Sequence, residues 1–181
     1  MPLRVNNIKF GFRIEPQLLL NRLDLLEDLF EIRKRGNIIT LRTEDYIYNI
    51  FTSGHINATG VRSLDLVEDC LDFFLTLFSI NSRRSQISIR IDNISASTSL
   101  SRPLSADVAE LTRTANAHSA RISFNQASFP GITLNFGFGS LIAFRTGKIN
   151  VVGVKTEKNM LKFESIIAEI ESATSRAVDS K

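Results

Sequence analysis

Cys70, His55 and His118 are the side chains best suited to nucleophilic or metal chemistry, and one thiol with two imidazoles is too few soft ligands for a zinc site. A lone cysteine has no partner for an internal disulfide either, which fits a reducing compartment. No serine, threonine or cysteine sits in an arrangement that supplies a nucleophile with a base and an orienting residue, so an enzyme is not expected. Gly137-Phe138-Gly139 lies between two extended runs instead of opening a helix, and reads as a turn, not a dinucleotide loop. Asn57-Ala58-Thr59 and Asn93-Ile94-Ser95 match the glycosylation pattern with no secretion signal ahead of them. His55 reads as a turn residue and Cys70 as a buried helix residue. Recognition chemistry remains: phenylalanines, asparagines and cations that return at a fixed spacing.

The elements that must position them belong to a chain with 43% hydrophobic residues, enough for a core. Charged residues make up 23% and are spread along the sequence, and no apolar run approaches the roughly 18 residues of a membrane span. Met1-Pro2-Leu3-Arg4 leads straight into an alternating segment without the regions of a secretory signal, so an intracellular protein with no membrane association is expected. The net charge of +3 is unevenly held. Residues 1–81 carry 9 Lys/Arg against 11 Asp/Glu, and residues 82–181 carry 13 against 8. The second half is the basic half, and Arg33-Lys34-Arg35 in the first reads either as a solvated helix end or as a phosphate contact.

The spacing is that of an internal repeat. Residues 50–62, from Ile50-Phe51 through Ser53-Gly54-His55 to Gly60-Val61-Arg62, align without a gap on residues 143–155, from Ala143-Phe144 through Thr146-Gly147-Lys148 to Gly153-Val154-Lys155. The offset is 93 residues, 147 against 54, and six of the thirteen positions are identical. Unrelated sequence would give about one. The elements follow the same order in each half: an alternating strand at 3–13 and at 86–97, then a helix beginning near Pro16 and another at 104–115. Extended runs follow at 37–42, 46–52 and up to Val61, and at 120–126, 131–136, 140–146 and 148–154. A closing helix covers 63–78 in one half and 157–174 in the other. Repeat units are therefore expected at 1–82 and 83–181, with a tail from about 175. In the second, Lys148, Asn150 and Val152 alternate with Ile149, Val151 and Val154, which gives the sheet one apolar face under helices and one mixed, open face. From pattern alone, Phe51 and Phe144 are either core residues or part of that open face.

Phe129-Pro130-Gly131 followed by the 143–155 segment resembles the second repeat of the TATA-box-binding protein family, and Phe51 through Arg62 is similar to the same motif in the first. Asn7-Ile8 and Asn93-Ile94 look like the family's Asn-Ile in each opening strand. The resemblance spans residues 3 to about 174. It implies an α+β fold of two pseudo-symmetric repeats, a curved antiparallel saddle sheet with helices on its convex side. It also implies binding of double-stranded, A·T-rich promoter DNA through the minor groove, with phenylalanine wedges that kink the duplex at a few kcal/mol per unstacked step. Phe51, Phe129 and Phe144 match wedges, and Gly36 stands where a fourth would be. Asn7 and Asn93 match amides that bond groove acceptors, and Arg42, Arg62, Lys148 and Lys155 match phosphate contacts. Thr59, Val152, Asn57 and Asn150 fall on the groove floor, where the family has a threonine at the first of these and valine in place of the two asparagines.

Other departures concern Lys9, where the family has valine, and Asn135, where it has arginine. Its basic docking helix becomes acidic here, with Asp65, Glu68, Asp69 and Asp72, so a different protein partner is expected on that surface. Phe73, Phe74, Leu75, Leu77 and Phe78 exceed what one helix face buries. Asn125 and Ala127 replace two glutamates that meet an initiation factor. Two functions are open: a promoter-binding factor that bends DNA and recruits transcription factors or polymerase subunits, or a protein adapter that kept the fold and lost DNA contact. No cofactor and no small-molecule substrate are expected. A divergent lineage, viral or protist, is expected, with action in the nucleus or in a cytoplasmic viral factory.

Overall fold

The structure, a computed structural model, describes residues 2–81, 86–104, 109–124 and 131–179. Among these are ten strands and four helices, grouped in two compact units: Asn7–Asp92, and residues 1–6 together with 93–181.

In the first-half unit, β1 (Arg4–Arg13) is followed by α1 (Pro16–Leu26), β2 (Glu31–Arg35), β3 (Ile38–Arg42), β4 (Ile47–Phe51), β5 (His55–Val61) and α2 (Leu66–Leu77). Its sheet is antiparallel in the order β2-β3-β4-β5-β1. Alternation decides which side chains go inside. Phe10, Phe12, Leu41, Tyr48, Ile50, Ile56 and Ala58 are buried on one face beneath the helices. Phe74 of α2 sits at the centre, its ring 5.1 Å from Phe12, 5.0 Å from Tyr48 and 4.5 Å from Phe78. Of the apolar surplus in α2, Leu75 and Phe78 are buried and Leu77 is half-buried. Phe73 alone stays exposed, beside Tyr46 at 5.9 Å.

The second-half unit opens with β6 (Arg90–Ser99), whose first three residues group with the first unit. This strand is followed by α3 (Ala109–Ala117), β7 (Arg121–Ser123), β8 (Ile132–Phe136), β9 (Gly139–Ala143), β10 (Lys148–Val154) and α4 (Glu157–Asp179). The order β6-β10-β9-β8-β7 has the antiparallel pattern of the first unit. Ile149 and Val151 are fully buried while Lys148 is exposed and Asn150 and Val152 are half-buried, as the alternation requires, and Val154 is buried because the register shifts after Val151. Phe163 of α4 closes the core against Phe136 at 5.3 Å and Phe138 at 5.1 Å.

One expected element is corrected. Residues 31–35 form an edge strand, not a helix end, because Glu31 to Arg35 pair residue for residue with Arg42 to Ile38. Ile32 turns toward the helices opposite Leu41, and the charged side chains that surround it hid the strand's alternation. Such charges suit an edge, where they discourage pairing with another chain.

Candidate nucleic-acid interface

Residues paired directly across an antiparallel sheet share a face, so the register defines the open side. In the first-half unit, Arg35, Ile38 and Phe51 line up across β2, β3 and β4, Arg33 aligns with Thr40 and Asn49, and Glu31 with Arg42 and Ile47. His55 and Asn57 face the same way opposite Arg13 and Gly11. In the second, Lys148 meets Ser99, and Asn150 lies between Ser97 and Ile142.

Each unit carries a β-bulge at the same place. The register slips between Ile8 and Phe10 opposite Thr59-Gly60, and between Val151 and Val154 opposite Ser95. A bulge releases one backbone N–H from the ladder, and here it finds the opening asparagine. Gly60 N–H donates to Asn7 Oδ1 over 2.8 Å, and Gly153 N–H donates to Asn93 Oδ1 over 2.6 Å. A backbone N–H only donates, so this contact fixes which end of each carboxamide is the oxygen and which is the NH2, and the Asn7 NH2 donates to Thr59 Oγ1. The two differ in one neighbour. Thr59 Oγ1 lies 2.8 Å from Asn7 Nδ2, whereas Val152, at the matching position, offers no hydroxyl to Asn93.

The phenylalanines also hold matching places. Phe51 ends β4 and Phe144 follows β9; both are half-buried, and each carbonyl accepts the N–H of the glycine three residues on, Gly54 at 2.8 Å and Gly147 at 2.9 Å. Those glycines have φ of +82° and +84°. A Cβ on Gly54 would meet Ile14 O at 2.1 Å and one on Gly147 would meet Arg102 O at 2.7 Å, so neither turn admits a side chain. Their carbonyls then accept from Ile14 N–H and Leu100 N–H, each at 2.9 Å.

Gly36 lies at the tip between β2 and β3 with φ of +55° and open space around it. The residue facing Phe51 across the strands is Ile38, which period-two counting back from Arg42 places on the same face. Arg42 is exposed on the open face and shares Glu31 with Arg33. Arg62 and Lys155 are exposed just after β5 and β10. Asn57 is half-buried, its Oδ1 accepting from His55 Nε2 at 2.9 Å in the tautomer that carries hydrogen there. Asn49 and Asn135, not singled out as binding residues, accept hydroxyl hydrogens from Thr40 at 2.8 Å and Ser140 at 2.7 Å. Asp65, Glu68, Asp69 and Asp72 are exposed in and just before α2, on the layer opposite the open face. Phe129, with Asn125, Ala127 and Pro130, lies outside the described residues.

Charge in the first-half unit is sorted by layer. The open face carries Lys9, Arg13, Arg33, Arg35 and Arg42 against Glu31. Lys34, of opposite parity, turns to the helix side and pairs with Glu27 at 2.5 Å, a hydrogen bond that raises its pKa. Of the motif residues, Cys70 is buried, and loss of hydration pushes its thiol up to about 11, so it is protonated and unreactive at neutral pH.

The chain superposes on Methanococcus jannaschii TBP with a TM-score of 0.69, covering 95% of this chain and 99% of that one, at 18% identity. The regulatory subunits of aspartate kinase from Thermus thermophilus and Thermus flavus give TM-scores of only 0.29, at 14% and 11% identity over 94% of each chain. No protein-family model matches the chain, and no curated protein sequence does. The protein has the α+β fold of a TATA-box-binding protein. At this identity the likeness is one of fold.

Proposed function

We propose that this chain is a TATA-box-binding-protein-like transcription initiation factor that binds A·T-rich promoter DNA through the minor groove, bends it, and recruits transcription machinery from its helical side. The sorting of charge carries the reading: five cations against one acid on the open face of a unit whose sequence is net acidic. A polyanion is attracted to one side of such a layer and repelled from the other. The pinned amides of Asn7 and Asn93 add a base preference, because A·T pairs present only acceptors in the minor groove whereas G·C pairs add a donor. Phe51 with Ile38, and Phe144, are the apolar groups available to enter base steps. Action in the nucleus, or in a cytoplasmic viral factory, goes with this function.

A second reading, a protein adapter without DNA contact, draws on Gly36 and on the internal pairing of Thr40 with Asn49 and Ser140 with Asn135, which make the open face more polar than a groove floor requires. One experiment separates them: binding to a labelled A·T-rich duplex at two salt concentrations, with end-to-end energy transfer reporting the bend. Salt-sensitive binding with a bend that Phe144→Ala with Phe129→Ala abolishes supports the first reading. Binding no tighter than the nonspecific micromolar range (about 10⁻⁴–10⁻⁶ M) rejects it.

A further inference from the structure

Four of the exposed large apolar side chains lie on α1 or in the turn after it: Leu18 at 44%, Leu20 at 57%, Leu25 at 61% and Leu29 at 71% exposure. At about 100° per residue, Leu19, Leu23 and Leu26 form the buried stripe, Leu18 and Leu25 lie on a second line roughly a quarter-turn away, and Leu29 adds an exposed apolar side chain in the turn that follows. An apolar ridge of this kind gains nothing from water.

The charges beside it are equally unhelpful to the isolated unit. Asp24, Glu27 and Asp28 crowd the C-terminal end of α1, where the helix dipole favours cations, and the last turn has no basic residue. Lys34 answers part of this, holding Glu27 and lying 3.9 Å from Asp24, yet the Asp24 side chain stays 90% exposed. From Glu15 to Leu29 there are four acids and one base, Arg22.

We infer that the leucine ridge and acidic end of α1 form the docking surface for a cationic amphipathic helix of a partner protein, its apolar residues on Leu18, Leu25 and Leu29 and its lysines or arginines against Asp24 and Asp28. The inference rests on the recruitment half of the proposed function and is independent of the DNA-binding half. Leu18 and Leu25 along α1, with Leu29 just beyond its end, give an apolar surface for the i, i+4, i+7 anchors of a helix laid along it. The acids select a basic flank over an acidic one and relieve their own clash with the dipole when it binds.

The test uses the full chain and two synthetic amphipathic peptides with leucines at i, i+4 and i+7, one flanked by lysines and the other by glutamates, followed by fluorescence anisotropy. The lysine peptide is expected to bind and the glutamate peptide not to. Leu25→Gln with Leu29→Gln, and separately Asp24→Asn with Asp28→Asn, are each expected to weaken binding by about tenfold. Both pairs are at the surface, and thermal unfolding verifies that the variants remain folded. Equal binding of both peptides, no binding of either, or binding indifferent to the substitutions overturns the inference. So does a concentration-dependent dimer in sedimentation that Leu25→Gln with Leu29→Gln dissociates, which assigns the ridge to a second copy. Duplex binding is measured alongside: its loss with peptide binding intact rejects the DNA-binding half alone, and the converse rejects only the docking surface.

Discussion

Tyr48 and Cys70 are buried together, and the phenol is satisfied by donating to the Cys70 carbonyl at 2.9 Å. Burial favours the neutral form of both: Tyr48 is raised above its usual 10.0, and Cys70 rises from 9.0 to about 11. The sign for stability follows. Below pH 9 both are protonated, folded or unfolded; above it the unfolded chain releases protons that the folded chain keeps, so stability falls as pH climbs from 9.0 toward 11. The thiol's share is on the order of 2–3 kcal/mol, and melting temperature against pH is expected to decline less steeply for Cys70→Ala than for the parent. Glycines give a second contrast at this scale. Gly54→Ala, with Ile14 O 2.1 Å from the new carbon, is expected to cost about 2 kcal/mol or more, and Gly36→Ala, in open space at φ of +55°, about 1 kcal/mol. Urea denaturation of the pair decides it, and equal losses would contradict the turn's close approach. The Asn7 and Asn93 motifs were visible in the sequence, but not their orientation, because the N–H that fixes each arises 53 and 60 residues later in a bulge.

Elements were legible where periodicity was undisturbed. β10 and its preceding turn stand where alternation puts them, since Ile149 and Val151 share the buried face with polar Lys148 and Asn150 before and between them, and only Val154, brought to that face by the bulge, breaks the parity. β2 was lost because four of its five side chains are charged and a run of leucines up to Leu29 carries the helical period to its edge. α1 itself was overfilled by the same run: Leu18, Leu25 and Leu29 fit a helix but not its buried side, a distinction that needs the sheet's position. α2 illustrates the same lesson in energies. Phe74, between Phe12, Tyr48 and Phe78, is expected to cost about 3–5 kcal/mol on truncation to alanine, and Phe73, its exposed neighbour, under about 1.5 kcal/mol. Chemical denaturation of the two variants measures the difference.

For the molecule as a whole, net charge was the least informative number in the sequence. A first half with more acids than bases turned out to hold five cations on one face, because strands alternate and helices do not share their parity. If that face meets phosphates, the affinity for duplex DNA falls with salt at a log–log slope of about −0.9 per contact, and Arg35→Ala with Arg42→Ala makes the slope shallower by about 2. An unchanged slope across 50–200 mM salt (about the range over which such contacts are lost) removes both arginines from the interface. The duplicated plan was legible because six identities survive in one hairpin, while the rest of the correspondence is carried by hydrogen bonds that sequence does not display. Those bonds also date the divergence along the chain. Asn7 to Asn93 and Ile14 to Leu100 are 86 residues apart, whereas Phe51 to Phe144 and Gly60 to Gly153 are 93 apart. Seven residues were therefore gained or lost between the opening strand and the hairpin, leaving both bulges in working order. Duplication left two copies of one device, and Thr59 against Val152 is a place where they differ: one amide has a hydroxyl companion and the other does not. If the chain reads DNA as proposed, two equal devices would not distinguish the direction of the target, whereas unequal ones give it a head and a tail.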